Sequence, residues 1–212
     1  SRYRKHVVKD AAALIQALQA LGHEVYIVSG GLFDPVREFG MHLGVAPEHI
    51  RAVEVEYDTL SGNWWQGQGP WREAYLAVQH SVLTESDGKA RVIRELLQNQ
   101  TGRSLLVGDG VSDLLASREV DLFAGFGGVI CRERVASESK VFIQSQSIAP
   151  VLLLAAGTAA LEHSGDAGVQ ALAEKAHTLT QSAALRWNEV RLAEKFEACF
   201  GTRAPSGSER DL

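Results

Sequence analysis

At 212 residues, 45% hydrophobic and 22% charged, the chain is long enough for one α/β domain with a sizeable core plus an appendage, in the ordinary range for soluble proteins. A formal charge of −5 counts against nucleic acid and anionic membrane as partners, since both select a basic face. No apolar run approaches the ~20 residues of a membrane span, and the basic opening SRYRKH leads into an amphipathic helix rather than a signal-peptide core, so a cytoplasmic location is expected.

In chain order, apolar Ala12, Leu14, Ile15, Leu18 and Leu21 recur at helical spacing, and Gly22 supplies a stop. Glu24 to Val28 then reads as a short strand bounded by Ser29-Gly30-Gly31. A second helix fits Pro35 to Leu43 and stops at Gly44, and Arg51 to Tyr57 alternates as a strand. The stretch from Ser61 to Trp71, with Trp64 and Trp65, reads as a hairpin or flap.

Asp87-Gly88-Lys89 opens a helix to about Gln98. Strands follow at Ser104 to Val107, Asp121 to Ala124 and Lys140 to Ile143, with a helix after the first, through Ser117, and a core segment around Ala149 to Ala156. Helices alternating with buried strands predict a parallel sheet with helices on its faces. Beyond Gly165, Leu172, Ala176, Leu179, Leu185, Leu192 and Phe196 mark one or two amphipathic helices. The organisation expected is a core over 1–160, a helical extension over 165–200 and a disordered polar tail over 201–212. Cys131 and Cys199, far apart and without ligand-spaced partners, are expected as free, largely buried thiols.

Three short stretches carry chemistry. Val28-Ser29-Gly30-Gly31 offers a hydroxyl and open backbone amides at the end of a parallel strand, suited to an oxyanion, although Ser-Gly-Gly turns are also common as plain structure. Lys89 lies at a helix start, where a lysine is ordinarily a solvated group that the macrodipole slightly disfavours. Gly108-Asp109-Gly110-Val111-Ser112-Asp113 follows an apolar strand. Its two carboxylates, four residues apart, suit Mg²⁺, which takes carboxylates together with water and phosphate; an Asp N-cap would use the same turn.

In this order and spacing, the three stretches resemble the haloacid dehalogenase superfamily of phosphatases, most closely its phosphoserine phosphatase-like group, from about His6 to Ile143. The resemblance implies that Ser29, with Gly30, binds the phosphoryl group and that Lys89 neutralises charge on it. It implies that Asp109 ligates Mg²⁺ and that Asp113 holds a metal-bound water or the loop. Ser112 stands where the group usually carries an Asn that helps place the substrate. The implied partner is a small phosphorylated metabolite.

The family's first motif, DxDx[TV], which carries the nucleophile and the general acid, occurs nowhere in the 212 residues. In the family it ends a central strand, followed by a helical cap. The chain is therefore expected to lack its first strand and most of the cap, with the missing part upstream of Ser1, and to be nearly inactive alone. The strands at 24–28 and 103–107 should then stay unpaired, about two strand spacings apart, with Ser29 and Asp109 facing one cleft at their carboxyl ends. The rival expectation is a non-catalytic phosphate-binding or scaffold protein.

Overall fold

The structure is a computed structural model that describes residues 7–58, 74–78 and 81–201. The chain enters through α1 (Ala11–Ala20), whose apolar side buries Leu14, Ile15, Ala17 and Leu18. Gly22, at φ 82°, turns the chain beyond it. Strand β1 (Ile27–Leu32), helix α2 (Phe33–His42) and strand β2 (Ile50–Val53) form a β-α-β unit in which β1 and β2 pair in parallel.

Strands β3 (Val55–Asp58) and β4 (Ala74–Val78) pair antiparallel. The Trp-rich stretch read as a hairpin or flap lies between them, at 61–71, outside the described residues. Helix α3 (Gly88–Leu97), strand β5 (Leu105–Gly108), helix α4 (Val111–Ala116), strand β6 (Leu122–Phe126), helix α5 (Glu133–Glu138) and strand β7 (Val141–Ile143) follow. Next come α6 (Pro150–Ala155), α7 (Thr158–Glu162), α8 (Ala167–Gln181), β8 (Leu185–Trp187) and α9 (Val190–Phe200). β5, β6 and β7 are parallel, and β8 closes the far edge antiparallel to β7, giving the order β5-β6-β7-β8.

β1 and β5 belong to separate sheets among the described residues, as expected. Among the described residues each pairs on one side only, β1 with β2 and β5 with β6. Leu105, Leu106 and Val107 stay half-buried, whereas a strand inside a parallel sheet is covered on both faces. Helices hold the two sheets together. α3 packs Ala90 and Ile93 against Val28 of β1 and Leu106 of β5. α1 points Leu14 and Leu18 into the large core around β6, β7, α6 and α8, and Ile15 into a smaller core with Leu43, Val45 and Ile50.

Several elements differ from the sequence reading. Ser29-Gly30-Gly31 is not the turn after a strand but an irregularity within β1. The register jumps from Val28↔Arg51 to Leu32↔Val53, so three residues oppose Ala52 alone. The Arg51–Tyr57 strand is two strands broken at Glu54. β8, between α8 and α9, was not expected at all, because its three residues carry no readable alternation. Both thiols are free but exposed: Cys131 sits in the loop after β6, and Cys199 is on α9, which buries none of its residues. The tail from 202 onward lies outside the described residues. No helix among them is long and apolar enough to cross a membrane.

Candidate active site

The turn from β5 into α4 is built around Asp113. A side chain at Gly108 would place its Cβ 2.3 Å from the Cβ and Cγ of Asp113, so only glycine lets this carboxylate lie back across the strand end. The N-cap of α4 is Gly110, not an aspartate. Asp113, three residues on, accepts the Gly110 N–H at Oδ2, 3.0 Å. Glycine cannot return a side-chain bond, so this is half of a capping box. Asp113 is 6% exposed.

Its other oxygen meets Lys89. The Lys89 ammonium lies 2.6 Å from Asp113 Oδ1, and only 17% and 9% of the two side chains are exposed. Lys89 is therefore not a solvated surface group. A positive charge in the first turn of α3 opposes the helix dipole, and the buried carboxylate of α4 compensates it. The approach of α3 depends on Gly88, because a Cβ there would sit 1.8 Å from the carbonyl oxygen of Val82. That carbonyl belongs to a 3₁₀ turn, Val82–Thr84, whose Leu83 carbonyl also faces Gly30 of β1.

Ser29 is half-buried and its Oγ accepts the Gly31 N–H at 3.0 Å. Gly30 is exposed, with backbone room around it. The structure thus joins Lys89 directly to Asp113 and lays α3 over the strand that carries Ser29. Ser112 is partly buried in the first turn of α4.

Asp109 takes a different partner from Asp113. Its carboxylate Oδ2 pairs with Nη1 of Arg132, and its backbone carbonyl accepts from the same nitrogen at 2.9 Å. Both side chains are nearly half exposed. Arg132 is the N-cap residue of α5, at the end of the loop that follows β6. It escaped the sequence reading. The available signal was a basic residue just beyond the carboxyl end of the strand next to the one bearing Asp109.

Hard carboxylate oxygens, one on the half-exposed Asp109, suit a hard divalent ion that keeps water and phosphate in its shell. Asp113, with one oxygen on Lys89 and the other on an amide, suits an indirect role. No group of three or more His, Cys, Asp or Glu poised to cage a metal occurs among the described residues.

A glycine-framed aspartate loop at the end of a parallel strand thus faces a lysine from the preceding helix. The family model for haloacid dehalogenase-like hydrolases matches residues 1–118, and the chain belongs to that family. Among its relatives are the phosphoserine phosphatases of Mus musculus and Homo sapiens, each 26% identical over 140 residues, which cover 65% of this chain and 57% of theirs. The chloroplastic phosphoserine phosphatase of Arabidopsis thaliana is 28% identical over 129 residues. The chain spans less than two thirds of the length of these curated relatives. Solved structures share the fold. A phosphoserine phosphohydrolase-like protein from Francisella tularensis superposes with TM-score 0.53 at 22% identity, over 66% of this chain and 59% of its own. A phospho-aspartyl intermediate analogue of phosphoserine phosphatase gives 0.52 at 18%, over 68% and 62%.

Proposed function

We propose that the chain carries much of the site of a Mg²⁺-dependent phosphomonoester hydrolase of phosphoserine phosphatase type, acting on a small phosphorylated metabolite in the cytoplasm. The observation that carries this reading is the Lys89–Asp113 pair at 2.6 Å, beside Asp109 at the end of β5. A bound Mg²⁺, held by Asp109, would supply positive charge to a phosphoryl oxygen.

Lys89 adds a fixed cation that Asp113 keeps oriented, and the Ser29 hydroxyl with the Gly30 amide offers donors to the phosphoryl oxygens. Charge stabilisation of this kind serves a displacement in which a carboxylate forms a bond to phosphorus. The P–O bond to the alcohol breaks, and the leaving oxygen takes a proton from a second acid. Water then releases inorganic phosphate. The 212 residues contain no Asp-x-Asp pair, so nucleophile and acid are assigned to residues outside them.

The test is phosphate release from phosphoserine and from an aryl phosphate by the native gene product, with and without Mg²⁺. We expect Mg²⁺-dependent turnover that falls by roughly 10²-fold or more in kcat in Lys89→Met. A twofold loss would return Lys89 to a structural role. The absent Asp-x-Asp pair also supports a second reading, a non-catalytic phosphate-binding scaffold, which saturable phosphate binding without turnover would favour.

A further inference from the structure

The site is electrically balanced before any ligand enters. Asp113 is neutralised by Lys89, and Asp109 by Arg132. The two pairs are built differently. Lys89 and Asp113 are largely buried and locked by a second bond from Gly110. Arg132 and Asp109 lie in the open, and one guanidinium nitrogen grips both the carboxylate and the carbonyl of the same residue. The remaining N–H groups of Arg132 make no hydrogen bond among the described residues.

We infer that Arg132 is a positioning residue that sets the divalent-cation affinity of Asp109, holding its carboxylate in place while opposing the ion by charge. The inference rests on the proposed metal role of Asp109. A divalent ion arriving at Oδ1 or Oδ2 of Asp109 meets a carboxylate whose charge is already compensated, with a guanidinium in contact. Asp109 and Arg132 sit on different loops, after β5 and after β6, so the guanidinium can withdraw by side-chain rotation without disturbing the strand. The backbone of Arg132 is independent of that movement, since its carbonyl accepts the Ala136 N–H at 2.9 Å to start α5.

The experiment is Mn²⁺ binding to the 212-residue chain, read by electron paramagnetic resonance of the free ion at low salt. Arg132→Met and Arg132→Gln, which remove the charge but keep a long side chain, should bind Mn²⁺ about tenfold more tightly than wild type. That gain should shrink as salt is raised. Arg132→Lys, which keeps the charge, should stay near wild type. Circular dichroism checks that each variant is folded, and Gln stands in if Met is not.

Unchanged or weaker binding in the uncharged variants overturns the inference, as does a Lys variant as tight as Met. If wild-type binding survives Asp109→Asn, or is absent altogether, the metal reading itself fails and the inference with it. Loss in Asp109→Asn with no gain in Arg132→Met leaves the metal reading standing and removes only the role of Arg132.

Discussion

Lys89 on α3 and Asp113 on α4 form the one largely buried ion pair among the described residues that links the two helices flanking the candidate site, at 2.6 Å. Removing one partner of such a pair leaves a desolvated charge, which costs more than the pair gains. With some solvent reaching Lys89, Lys89→Met should destabilise the chain by about 2 kcal/mol. Adding Asp113→Asn should restore part of the loss, because the orphaned carboxylate is then neutral. Urea unfolding of the two single variants and the double variant checks the coupling. Additive effects would show that the pair is not an energetic unit.

Gly88 makes the same geometry testable through the backbone. All three atoms nearest to an added Cβ, from 1.8 to 2.9 Å, are main-chain atoms of Val82 and Leu83, so no side chain can swing aside. Gly88→Ala gains helix propensity at an ordinary site, but here it must push α3 off the 82–84 turn. We expect a loss of roughly 3 kcal/mol in unfolding free energy, and a rise in accessibility of Lys89 to amine-directed acylation. A neutral or stabilising effect would mean that the turn yields freely.

The fold was legible where single residues impose geometry. Gly22 and Gly44, both at positive φ, end the first two helices where the sequence placed their stops. The alternation of helix and apolar strand gave the parallel sheet. The site was legible in part, because Lys89 and the aspartate loop are close-spaced signals attached to strand ends. Arg132 was not legible: its partner Asp109 lies 23 residues earlier and is reached only because β5 and β6 run side by side. The irregularity at Ser29 was hidden for a similar reason, since a bulge is defined by the partner strand. The exposure of Cys131 depends on a loop path that no local pattern encodes.

Asp10 gives the fold a pH dependence. Burial opposes its charge, but hydrogen bonds from Lys175, at 2.6 Å, and Ser147 outweigh that and hold the carboxyl below its usual range. The residue joins the start of α1 to α8 and to the loop before α6. A carboxyl depressed in the folded state contributes stability that is full above its unfolded pKa and is lost as pH falls through the folded one. Asp10→Asn should therefore lower stability at neutral pH and flatten its decline below about pH 4. Thermal unfolding from pH 7 to pH 3 measures both; parallel curves for the two proteins would exclude the linkage.

The segment beyond Gly165 provides the last prediction. Expected as a helical extension, it contributes Val169, Leu172, Ala173, Ala176 and Leu185 to the principal core. β8 adds a strand beside β7, and Asn188 donates to the carbonyls of Ala136 and Ser139 at the end of α5, at 2.8 and 2.7 Å. Val169, Leu172 and Leu185 alone stabilise the fold by about 1.5–3 kcal/mol each. Their sum is comparable to the whole net stability of an ordinary domain, about 5–15 kcal/mol. Removing everything after Gly165 would also bare the outer edge of β7 and the apolar faces of α1 and α6. The shortened chain should lose cooperative unfolding and be cut rapidly by protease. A cooperative transition in the chain ending at Gly165 would show that α8 and β8 are an appendage to a core that folds without them.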